Sequence, residues 1–180
     1  MDSIMTKKRE DQEIPSGYNQ VNFFIIIKGG ASKFIEFVER VFGGIENKQA
    51  RTQDRDGSLI HAEIRLGDST ILVADSKNDW PFTPAFPQVY VEDAQAVIDR
   101  AKKEGAQVIT SVNDFYYGMK IARFRDPWGN IWWLFEKSSN LEKPSMQANA
   151  DVGWHDKKPS EIYATLMEAM KNLREGEIAK

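Results

Sequence analysis

The residues best placed to do chemistry lie in one short run. Ser58 to Leu66, SLIHAEIRL, alternates along its length, so as a strand it sets His61, Glu63 and Arg65 on one face and Ala62, Ile64 and Leu66 on the other. A histidine, with a reference pKa of about 6.5, could serve there as acid, base or hydrogen-bond partner to a ligand. The plainer alternative is that His61 and Glu63 pair with each other, or with Arg123, on a wet sheet surface. As a metal site the two would lack a third and a fourth ligand. The other histidine, His155, sits beside Trp154 in a polar tail and reads as a surface residue. There is no cysteine, which removes disulfides, thiolate metal sites and cysteine nucleophiles from consideration. The sequence also lacks a Gly-rich phosphate loop, a nucleophile elbow and a paired-histidine helix motif.

Positioning such residues takes a frame, and the 180 residues, 41% of them apolar, are enough to bury a core. Val21 to Ile27, VNFFIII, is short and rich in aromatic and β-branched residues, as a buried strand should be. After the Gly29-Gly30 turn, Phe34, Phe37, Val38, Val41 and Phe42 recur at helical spacing until Gly43-Gly44 ends the helix. A polar stretch, SLIHAEIRL and TILVAD follow as strands, separated by Asp56-Gly57 and Gly67-Asp68 turns. Pro81, Pro84 and Pro87 mark a linker. The pattern then restarts: strand Gln88 to Val91, a helix capped by Asp93, strand Gln107 to Thr110, a loop from Asn113 to Gly118, strand Lys120 to Phe124, the turn Asp126-Pro127-Trp128-Gly129, and strand Ile131 to Phe135.

Strand, helix, strand, strand, strand thus occurs twice, which makes the fold α+β: two tandem βαβββ modules curving as half-sheets around a shared cleft. The expected organisation is a flexible N-terminus over 1–17 and one domain over 18–137, made of modules 18–76 and 86–137. Residues 138–180 follow as a polar linker and an amphipathic helix near 159–175, which packs on its own domain or across a dimer contact. If strand parity holds, Phe24, Phe86, Tyr90, Trp133 and Phe135 face into the cleft, Tyr116, Tyr117 and Trp128 stand on loops at its mouth, and Asn22, Gln88 and Arg123 supply polar groups. Flat rings with a few polar anchors suit a small, partly aromatic ligand. Alternatively, Trp133 and Phe135 plug the cup.

The first half, VNFFIIIKGGASKFIEFVERVFGG with DGSLIHAEIRLGDSTILVAD, resembles the vicinal-oxygen-chelate superfamily in its PhnB-like, glyoxalase/bleomycin-resistance branch. The second half, VYVEDAQAVIDRAKKEGAQV with DFYYGMKIARFRDPWGNIWWLFE, resembles that branch's second module. The resemblance implies the glyoxalase/bleomycin-resistance/dihydroxybiphenyl dioxygenase fold and, in metal-using members, a divalent ion held by His, Gln or Glu from the first and last strands of each module. Here those positions fall on Asn22, on Phe86 with Gln88 next in the same orientation, on Trp133, and on Ile71 or Val73. An amide, two rings and a hydrocarbon cannot hold Zn²⁺, Fe²⁺, Ni²⁺ or Mn²⁺ as imidazole and carboxylate do. Glu136 has the wrong parity for a substitute: it leaves the last strand on the side of Trp132 and Leu134.

The expectation is therefore a metal-independent binding protein of the drug-resistance type, without cofactor. One alternative is an enzyme related to glyoxalase or the dioxygenases, with an atypical metal site or with His61, assisted by Glu63, as general base. Another is a scaffold protein whose cleft has closed. Edge strands of such cupped sheets favour a homodimer. A net charge of −3 with interspersed signs argues against nucleic-acid or membrane partners, and the charged start without an apolar stretch suits a cytoplasmic protein.

Overall fold

A computed structural model describes residues 14–115, 118–137 and 160–173. Module 1 comprises β1 (Phe23–Ile27), α1 (Ala31–Phe42), the short strands β2 (Ile45–Glu46) and β3 (Thr52–Gln53), β4 (Leu59–Leu66) and β5 (Ser69–Asp75). Module 2 comprises β6 (Gln88–Val91), α2 (Ala94–Lys103), β7 (Gln107–Phe115), β8 (Met119–Arg125) and β9 (Ile131–Lys137). The C-terminal helix α3 spans Glu161–Lys171. Each module forms its own mixed sheet, in the orders β1-β5-β4-β2, with β3 on β4, and β6-β9-β8-β7. In both, the first strand pairs in parallel with the last, so the repeat in the sequence is a repeat in topology. The segment expected to be a loop from Asn113 is instead the end of β7, paired with β8 as far as Phe115 opposite Met119.

The ends of the helices follow their local chemistry. Gly43, at φ 73°, takes the left-handed conformation that stops α1, and its N–H donates to the Glu39 carbonyl. The Asp93 carboxylate caps α2 by accepting from the Ala96 N–H at 2.9 Å. The N-terminal stretch expected to be loose as far as residue 17 is tied at its end, where the Gly17 carbonyl accepts from Arg65 and Thr70.

A single bulge decides which residues of β4 face the core. Thr52 pairs with His61 and Gln53 with Leu59, leaving Ile60 as the extra residue. The alternation resets there, so Leu59 joins Ala62 and Ile64 in the core while His61 and Glu63 lie on the opposite face. Opposite β4, Ala62 meets Val73, Ile64 meets Ile71, and Glu63 meets Leu72. The sequence reading that put Ile71 or Val73 on the face of His61 is thus corrected: both are core residues, and the hydrocarbon on that face is Leu72.

Between the modules lies an aromatic core rather than a cleft. Phe34 and Phe37 of α1 meet the Trp128 ring edge-on at 5.4 and 5.8 Å, and Phe42 lies 4.7 Å from Trp132 and 6.1 Å from Phe124. Such pairs each contribute roughly 0.5–1.5 kcal/mol beyond the area they bury. The helices also touch through polar groups, with Arg40 donating to Glu104 at 2.8 Å and Arg100 to the Val41 carbonyl at 2.7 Å. Both sheets therefore turn their core faces toward a shared layer containing α1 and α2, and their other faces point outward. Among the described residues, packed rings rather than an open cleft fill the space between the core faces of the two half-sheets. Trp128 belongs to this core, 8% exposed, and does not stand at the mouth of a binding cup.

The β8–β9 turn that carries Trp128 is held by a buried carboxylate. Asp126 accepts from the Trp128 and Asn130 N–H groups, the Asn130 side chain and the Trp132 indole, all within 3.0 Å. Burial pushes its pKa up to about 6 although these four donors favour the charged form. Because rings from both modules share one core, Phe37→Ala should cost about 3–5 kcal/mol. Urea denaturation of the variant would check this; a loss below about 1 kcal/mol would mean that the modules do not depend on each other for packing.

Candidate functional site

The outer face of module 1 gathers Asn22, Phe24, His61, Glu63 and Leu72. Glu63, 8% exposed, is its most constrained member. Its carboxylate accepts hydrogen bonds from the Tyr18 hydroxyl and, at 3.0 Å, from the Asn47 amide, and pairs with His61 Nε2 at 3.1 Å. Burial raises its pKa, but the three hydrogen bonds together outweigh this and hold it below its ordinary value of 4.5. His61 is half-buried, its ring tilted against Phe24 at 6.4 Å. Asn22 is engaged in a local turn, accepting from the Asn19 N–H and donating to the Asn19 carbonyl. Phe24 remains 54% exposed.

The outer face of module 2 carries Gln88 and Tyr90 from β6, Ile121 and Arg123 from β8, and Trp133 and Phe135 from β9. Register places Gln88 beside Trp133, Tyr90 beside Phe135, and Arg123 on the other side of Trp133. Phe135 is buried in a ring cluster, 5.6 Å from Tyr90 and 5.9 Å from Phe115, while Tyr90 is 71% exposed and Phe86, just before β6, is 46% exposed. The Arg123 guanidinium lies 3.8 Å above the Trp133 ring. Helix α3 covers this side, with Thr165 bonded to Thr110 at 2.8 Å and the Ile162 carbonyl accepting from Arg123.

The sequence-based set is therefore divided between two faces. His61, Glu63, Asn22 and Phe24 come together on module 1, and Gln88, Tyr90, Arg123, Trp133 and Phe135 on module 2. The pairing of His61 with Glu63 is present, but Arg123 does not join them, since it belongs to the other sheet. Tyr116, Tyr117 and His155 lie outside the described residues. Glu136 keeps to the helix side as its parity requires, bonding the Ala94 N–H at the start of α2 and Lys120. Sequence reasoning missed Tyr18 and Asn47 as partners of Glu63, and no local pattern announces them: they are 45 and 16 residues away. A groove of about 570 Å³ does lie between the modules, along the edges of β1 and β6, lined by Phe23, Phe42, Ile71, Val89, Tyr90 and Arg100 among others. Of the side chains expected inside a cup, it uses only Gln88 and Tyr90, and of the rings only Tyr90.

The model of the Glyoxalase/Bleomycin resistance protein/Dioxygenase superfamily matches residues 20–134. The chain belongs to this superfamily. An uncharacterised protein of Mycobacterium bovis is 28% identical over 134 residues, covering 68% of this chain and 87% of its own. Among solved structures, the protein PA1353 of Pseudomonas aeruginosa is similar with a TM-score of 0.56 at 14% identity, over 67% of this chain and 98% of that one. A Bacillus cereus PhnB protein, described as a putative 3-demethylubiquinone-9 3-methyltransferase, is similar with a TM-score of 0.53 at 19% identity, over 64% and 98%. At such identities the two structures establish the fold.

The side chains at the superfamily's metal positions do not fit a divalent ion. Asn22 has its amide committed to Asn19, Phe86 and Leu72 offer no donor, and Trp133 lies under a cation. Among the described residues, no group of three or more His, Asp or Glu side chains is arranged to hold one.

Glu63's depressed pKa gives a signed expectation. Its contribution to stability is complete above 4.5 and is lost as the pH falls through the lower folded value. The stability difference between the native chain and Glu63→Gln should therefore narrow on acidification below that value, as followed by denaturant unfolding at stepped pH. A difference constant with pH would show that Glu63 is not held ionised.

Proposed function

We propose that this member of the superfamily binds a small, partly aromatic molecule without a metal, and that a second copy of the chain completes the site. The observation that carries the reading is a contrast on the outer faces. The positions that the resemblance gives to a metal fall on Asn22, Phe86 and Trp133, with Leu72 on the face of His61, while Phe24 and Tyr90 stay more than half exposed on edge strands. Rings left in water at unpaired edges are costly unless something covers them. Within one chain the two ring-bearing faces point outward, so a cup containing both calls for module 1 of one copy beside module 2 of another. The His61–Glu63 pair, at 3.1 Å, favours a second reading in which His61 acts as general base on a bound substrate and Glu63 orients it.

Purified protein, treated with chelator and then titrated with planar aromatic compounds, bleomycin among them, should show saturable tryptophan quenching. Metal should be absent at stoichiometric levels both before and after treatment. Binding abolished by chelator would overturn the reading. In sedimentation the chain should run as a dimer and Tyr90→Glu as a monomer with binding weakened at least about tenfold; a monomeric native chain that binds fully would remove the second copy from the site. Under the enzymatic reading, His61→Ala would abolish turnover of a bound substrate while leaving its affinity within about threefold.

A further inference from the structure

Arg123 is a buried cation with no carboxylate bonded to it among the described residues. It is 3% exposed, at the centre of module 2's outer face, with the Trp133 ring below it. Nη1 donates to the Ile162 carbonyl at 2.8 Å and to Thr110 Oγ1 at 3.2 Å, while Nε is buried and has no partner. Burial draws the pKa down to about 10, which still leaves the group charged at neutral pH. Neutral acceptors compensate poorly for a charge removed from water. The acceptor supplied here is also badly placed. Ile162 lies in the first turn of α3, where the helix dipole and its free N–H groups favour an anion over a cation.

No residue of α3 is fully buried; Ile162, Thr165, Leu166 and Ala169 are half-buried, and the hydrogen bonds from the helix to the sheet include the Arg123 contact, the Thr110–Thr165 bond and a long reach of Arg125 to the Asn172 carbonyl at 3.5 Å. The superfamily match ends at residue 134, so α3 is an addition laid over the outer face of the shared domain.

We infer that Arg123 and Trp133 form a subsite for the anionic group of an aromatic ligand, a carboxylate or a phosphate, and that α3 occupies this subsite until the ligand displaces it. The inference deepens the proposed function and rests on it for the aromatic part of the ligand. A guanidinium presents its donors as a planar fork that matches two oxygens of one anion, and here the unused Nε is one arm of that fork. That fork pairs Nε with Nη2, while the Ile162 carbonyl holds Nη1; with Arg123 3% exposed and α3 bonded over it, an anion reaches the fork only when the helix moves away.

The test titrates naphthoate, naphthyl phosphate and the neutral naphthamide into the full chain, and measures amide hydrogen exchange in α3 with and without saturating anion. One or both anions should bind at least about tenfold more tightly than the amide. Whichever of the two binds more tightly names the group, and Arg123→Met should erase the preference. Leu166→Pro, which breaks α3 away from the subsite, should tighten anion binding severalfold. On the native chain, the anion should accelerate exchange across α3; unchanged or slower exchange overturns the displacement even if Arg123→Met fails to fold. Equal binding of all three probes leaves the aromatic-binding reading standing and sinks this inference. Binding of none sinks both.

Discussion

The packing of Phe34, Phe37 and Phe42 against Phe124, Trp128 and Trp132 is the constraint from which the rest of the architecture follows. A helix has one apolar stripe and a half-sheet one apolar face, and neither module alone can cover all its rings. By sharing them, the modules turn their core faces toward one another and their opposite faces outward. The site is consequently split, with the histidine and acid of β4 on one surface and the rings of β6 and β9 on another. A composite cup then becomes a matter of assembly between chains. The unpaired edges of β1 and β6, where Phe23, Phe24 and Tyr90 are exposed, are the surfaces available for it.

Two buried charges on these outer faces have opposite surroundings. Glu63 receives three hydrogen bonds from Tyr18, Asn47 and His61, and is held in its ionised form as a fixed acceptor that orients the imidazole. Among the described residues Arg123 has only neutral acceptors, one of them in the first turn of a helix, and keeps an unpaired N–H. A satisfied charge stiffens its neighbourhood, whereas an unsatisfied one stores free energy that a complementary ion can release. This difference separates the structural role of Glu63 from the ligand-directed role assigned to Arg123.

The two βαβββ units, the helix caps at Gly43 and Asp93, and the face of each long strand wherever alternation is unbroken are legible in the amino-acid sequence. These are local matters, set by side-chain periodicity and by the backbone freedom of single residues. Only the tertiary structure decided that Leu72 rather than Ile71 or Val73 shares the face of His61, because register depends on which strands pair. It alone placed Trp128 in the inter-module core, sent the two ring-bearing faces outward, and set α3 over Arg123. Each of these depends on contacts between residues far apart in the chain, and hydrophobic periodicity reveals that a face will be buried without saying what will bury it.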